Sequence, residues 1–150
     1  MKAILLSILA PIALLCGGCA TSGTLGHMTT AQGIAIAQPL VSGALTLVLD
    51  NNPSYIPIAT KVGADLAASN WNDLTVTGIN TAVTAIVTKE GGTPALAAIV
   101  SASLDAGLAG YLEAVGESAI SADPNAQAVL TALGQAISTG AAAAVPKAAS

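Results

Sequence analysis

TPALAAIVSASLDAGLAGYLEAVG, Thr93 to Gly116, reads as a single helix. Thr93 offers a hydroxyl N-cap and Pro94 a first helical position that needs no N–H. Leu96, Val100, Leu104, Leu108, Leu112 and Val115 then recur every three or four residues, the spacing that gathers side chains on one buried face.

The same grammar extends in both directions. Upstream, Leu74–Lys89 places Val76, Ile79, Val83 and Ile86 on one stripe. Its Thr and Val content would suit a strand, but the 3-4 spacing favours a helix. Lys89 suits the C-terminal dipole, and Gly91-Gly92 end the segment. Before it, Ser54–Ser69 carries Ala59, Val62, Leu66 and Ser69 at helical spacing, with Asn52 as cap and Pro53 as first residue, although Pro57 shifts the start later. The earliest segment, Thr30–Leu49, repeats Ile34, Val41 and Val48 every seven residues with Leu45 between, and Pro39 is expected to kink or divide it. Downstream, Asp123-Pro124 opens a fifth segment lined by Val129, Leu130, Leu133, Ile137 and Gly140. The expectation is an all-α, Ala/Gly-rich bundle of about five helices over 29–140, with 141–150 as a flexible Ala-rich tail.

Composition narrows the function. The 150 residues include 33 Ala and 15 Gly, with no Phe and no Arg. Charged residues are 8% against an average near 25%. Four scattered Lys build no basic patch, so nucleic acid is not an expected partner. A core made from such small side chains gains stability by close helix approach, so Gly107→Leu should overpack it. A surface this poor in charge has little repulsion against neighbours, which suggests a partner protein or a homo-oligomer.

The N-terminus carries a different signal. Met1-Lys2 is followed by the apolar run Ala3–Leu15 and by Cys16-Gly17-Gly18-Cys19. One positive charge, a short apolar run and small residues make a cleavable signal peptide. The ending resembles a bacterial lipoprotein lipobox, with Gly17 and Gly18 before Cys19 and with Cys16 where that family usually has Leu. The resemblance implies that 1–18 are removed, that Cys19 is lipidated, and that 19–28 form a tether. It also implies a membrane anchor; Ala20 after the cysteine favours the outer membrane, with the domain facing the periplasm. The alternatives are ordinary cleavage after Ala20 and an uncleaved N-terminal helix buried in the fold.

Few residues point to chemistry. His27, the only histidine, lies in the tether without a second ligand. Asp105, Glu113 and Glu117 fall near one another around a helix and could meet a cation or a basic partner, although a solvated face is the simpler reading. Trp71, between Asn70 and Asn72, could touch a partner or cover the core. Tyr55 and Tyr111 suit the core rim. Hydrolase, metal and phosphate motifs are missing from the sequence after Cys19, so neither an enzyme nor a cofactor is expected. The sequence reading is therefore a small membrane-anchored envelope lipoprotein with a structural or adaptor role. The alternative is a membrane-active lysis or pore-related accessory protein, of phage or bacteriocin type.

Overall fold

The computed structural model describes residues 28–144. The signal-peptide segment, Cys19, nearly all of the tether and 145–150 lie outside these residues. Five α-helices form a bundle: α1 (Thr30–Leu49), α2 (Ile56–Ala68), α3 (Val76–Lys89), α4 (Pro94–Val115) and α5 (Ala126–Ala143). Two short 3-10 turns, Pro53–Tyr55 and Ile120–Ala122, lie between them. No strand occurs among the described residues.

The helix ends follow local chemistry. Thr29 and Gln32 make a reciprocal capping box on α1, with side-chain–backbone bonds of 3.3 and 3.0 Å. Thr75 caps α3 by accepting from the Gly78 N–H at 3.0 Å, and Thr93 caps α4 by accepting from Leu96 at 3.2 Å. At the end of α3, Gly91 takes φ +78°. Its N–H reaches the Thr88 carbonyl and that of Gly92 reaches Val87, closing a Schellman motif. Gly116 ends α4 with the same φ. Replacing Gly116 by Ala places a Cβ in the left-handed region and should lower stability by about 1 kcal/mol, measurable by urea denaturation.

Three boundaries differ from expectation. α1 runs through Pro39 without division. Asn52 does not cap a following helix. Its side-chain amide instead donates to the Val48 carbonyl at 3.0 Å and closes α1, and α2 proper starts after the 3-10 turn, at Ile56. Asp123 is likewise no N-cap: it is 7% exposed, accepts the Asn125 N–H at 2.7 Å, and α5 starts at Ala126.

Each helix packs mainly on two others, so the order α5–α1–α4–α3–α2 closes into a ring around a Leu, Ile and Val core, with a smaller contact between α4 and α5. α1 and α4 are antiparallel, with Gly33 beside Tyr111 and Gly107 beside Val41 and Ala37. α2 and α5 are antiparallel, and α1 and α5 run parallel: Thr30, Gln38 and Thr46 bond to Asn125, Ala132 and Gly140 in turn. Glycine lets backbones touch. A Cβ on Gly134 would lie 2.5 Å from the Ala67 nitrogen, and one on Gly140 would lie 2.6 Å from the Ser42 oxygen. Tyr111, expected at the core rim, is fully buried inside the bundle, as are Leu45, Leu66, Leu96, Leu130 and Leu133. Each such leucine contributes roughly 1.5–3 kcal/mol relative to exposure.

The buried stripes are shifted from the expected ones in three helices. At the end of α4, Tyr111 and Ala114 are buried while Leu112 and Val115 are only half-buried. α1 buries Gly33, Ala37, Val41, Leu45 and Leu49, a strict step of four, while Ile34 and Val48 are only half-buried. α3 buries Ile79, Val83 and Val87, leaving Val76 61% exposed. α5 buries the five expected residues and continues past residue 140, with Ala141 fully buried, so the bundle reaches into the expected tail.

Candidate docking face

The charges of the described residues are distributed unevenly. α1 and α5 contain no Asp, Glu, Lys or Arg over 20 and 18 residues. They lie side by side, held by Gln38 Nε2 donating to the Ala132 carbonyl at 3.2 Å and by the Thr46 hydroxyl between the carbonyls of Ser42 and Gly140 at 2.8 and 2.9 Å. The outer face of this pair is therefore uncharged. Ile36 and Leu47 stand on it, 38% and 62% exposed, as does Gly43, around which a Cβ would meet nothing within 4 Å. A shallow groove of about 410 Å³ runs between Pro39, Gly43, Leu47, Thr139, Gly140 and Ala143. Exposed apolar side chains beside small residues form a surface on which another helix can approach closely.

The remaining charges belong to the other helices and the connections. Lys89 reaches Asp65 at 2.7 Å and Glu90 at 3.6 Å on the exposed side of α2 and α3. The Lys89 hydrogen bond holds the Asp65 carboxyl below its usual range, and Asp65 raises Lys89 in return. The Thr75 hydroxyl and N–H lower Asp73 in the same way, through bonds of 2.7 and 2.9 Å. These exposed contacts tie down turns and add little to overall stability.

The expected contact residues fall elsewhere. Trp71 is 8% exposed and covers the core, and its backbone N–H donates to the Gln127 side-chain oxygen at 3.1 Å. The Gln127 amide in turn donates to the Ser69 carbonyl at 2.7 Å, which fixes the Trp71 connection to the start of α5. Glu113 is exposed on α4 and Glu117 is exposed beyond its end, while Asp105 is half-buried in a cleft against α3. No group of three or more His, Cys, Asp or Glu among the described residues could hold a metal ion. Cys19 and His27 lie outside the described residues.

The pair Tyr111–Asp123 was not anticipated from the sequence. The fully buried Tyr111 hydroxyl donates to the Asp123 carboxylate in a short hydrogen bond. Burial, with this bond adding to it, pushes the phenol up to about 12. The pair is a structural tie between α4 and the turn before α5.

By length and mean hydropathy, 1.5 in each, α1 and α4 are long and apolar enough to cross a membrane. Helices of a water-soluble core share these properties, and both bury a face in this bundle. No protein-family model, curated protein or solved structure matches the chain.

Proposed function

We propose that the protein is a small envelope lipoprotein, held by a lipidated Cys19 and docking another envelope component through the uncharged α1–α5 face. The observation that carries the adaptor role is that face: two adjacent helices without a single charge, presenting Ile36, Gly43 and Leu47. The lipobox-like Cys16-Gly17-Gly18-Cys19 supports the anchor, and Ala20 supports an outer-membrane location facing the periplasm. Met28 donates its N–H to the Ala114 carbonyl at 3.3 Å, so the chain enters the bundle beside the end of α4. The short tether before it would hold the domain within about 30 Å of the bilayer.

Labelling of cells with radioactive palmitate tests the anchor. The full-length chain should incorporate label and Cys19→Ser should not. Equal labelling of both would overturn it.

A second reading, a membrane-active protein, is favoured by one observation: α1 is 20 residues long and entirely uncharged. Insertion would have to separate α1 from α4 and α5, where Gly107 and Gly140 admit it closely. Dye-loaded vesicles distinguish the two readings. The adaptor leaves the dye inside at concentrations that saturate the membrane with protein, whereas rapid release would favour the membrane-active protein.

A further inference from the structure

We infer that the cleft between α3, α4 and the turn 118–121 is a binding site for a small amphiphilic cation, an aliphatic body carrying a protonated amine. The cleft has a volume of about 500 Å³, within the range of small-molecule sites. Its walls are mainly apolar: Leu74 from the connection before α3, Val76 from the first position of α3, Leu108 and Leu112 from α4, and Ile120 from the 3-10 turn. Val76 lies off the buried stripe of α3, is 61% exposed, and stands where an apolar ligand would cover it.

One ionisable group lines this cleft. Asp105 is half-buried and has neither a hydrogen bond nor an ion pair among the described residues. The two lysines of those residues do not line the cleft: Lys89 is engaged by Asp65, and Lys61 is exposed on α2. A carboxylate beside apolar walls gains most from a cation that brings its own hydrocarbon. An ammonium head would pair with Asp105 while its chain replaced water along Leu108, Leu112 and Ile120. Ser118 and Ser121 also line the cleft, and their hydroxyls can accept hydrogen bonds from the remaining ammonium N–H groups. A fatty acid would set its carboxylate against Asp105, and a neutral alcohol would leave the ionic interaction unused.

The test uses the full-length chain carrying Cys19→Ser, so that no acyl group competes. Octylammonium, octanol and octanoate are titrated separately, with amide resonances of the cleft followed by NMR. Octylammonium should saturate shifts at Leu74, Val76, Leu108 and Leu112, binding about tenfold more tightly than octanol, with octanoate weaker still. Asp105→Asn should melt at the same temperature, because Asp105 makes no internal bond, and should bind octylammonium and octanol alike. Equal binding of the two by the parent chain would overturn the inference, as would absent saturation, shifts centred away from the cleft, or unchanged ammonium preference in Asp105→Asn.

Discussion

Gly134→Leu should lower the stability of the bundle by about 3 kcal/mol, the upper part of the range for overpacked cores, and lower the melting temperature by on the order of 10 °C. The reason is the identity of the neighbouring atoms. A Cβ at Gly134 would meet the Ala67 nitrogen at 2.5 Å, the Ala67 Cα at 2.9 Å and the Leu66 carbonyl carbon at 3.0 Å, all of them backbone. Backbone within a helix cannot rotate aside as a side chain can, so α2 and α5 must separate and their shared core contacts loosen. Leucine is a better helix former than glycine, so local propensity works against the predicted loss and cannot explain it. Gly107→Leu should cost less, because the nearest obstacle is the Val41 side chain. Gly43→Ala meets nothing within 4 Å and should raise stability by about 0.5–1 kcal/mol. Urea denaturation of the three variants gives the order; equal effects at 134 and 43 would remove the argument for backbone contact.

Tyr111→Phe should cost about 2 kcal/mol or more, although it deletes one oxygen. The Asp123 carboxylate is 7% exposed and would lose its phenolic donor, keeping the Asn125 N–H at 2.7 Å. Leaving a buried charged acceptor short of a donor costs more than the net worth of the bond. Asp123→Ala should consequently be less damaging in the Tyr111→Phe background than in the parent, a coupling that a double-mutant cycle measures. The same pair gives an alkaline signature. Below pH 10 the ring is neutral in folded and unfolded chains, and its contribution is complete. Between pH 10 and about 12 the unfolded chain ionises first, so stability falls as pH rises through that window. The Lys89–Asp65 pair weakens at high pH as well, so the comparison of parent and Tyr111→Phe isolates the tyrosine. The variant should show the shallower decline.

Much of the bundle was legible residue by residue. Thr93-Pro94 marked the start of α4 because a hydroxyl cap and a proline at the first position are local devices that tertiary structure rarely overrides. Val129, Leu130, Leu133, Ile137 and Gly140 were legible because α5 packs on two neighbours and buries a broad face. α1 was misread in register. Its buried stripe begins with Gly33 and Ala37, which fit where Tyr111 and Gly107 approach, while the more hydrophobic Ile34 and Val48 sit at the margins. Side-chain hydropathy ranks these residues in the wrong order when close approach, not area, selects them. Asp123 looked like a cap because Asp-Pro often is one; its actual partner, Tyr111, depends on how the turn folds back on α4. The uncharged face had a visible signal, the lack of charge in both α1 and α5. Their adjacency is a property of the ring order and could not be read from either segment.

The docking role rests on that face, and site-specific photocrosslinking in the membrane-anchored, full-length protein tests it most directly. A photoreactive residue is placed at Ile36, Gly43 or Leu47 on the outer face of α1, and at Lys61 or Thr84 on the opposite helices. Discrete adducts from 36, 43 and 47, and none from 61 or 84, are the expected result. Adducts of equal yield from all five positions, or none from the α1 face, would contradict it.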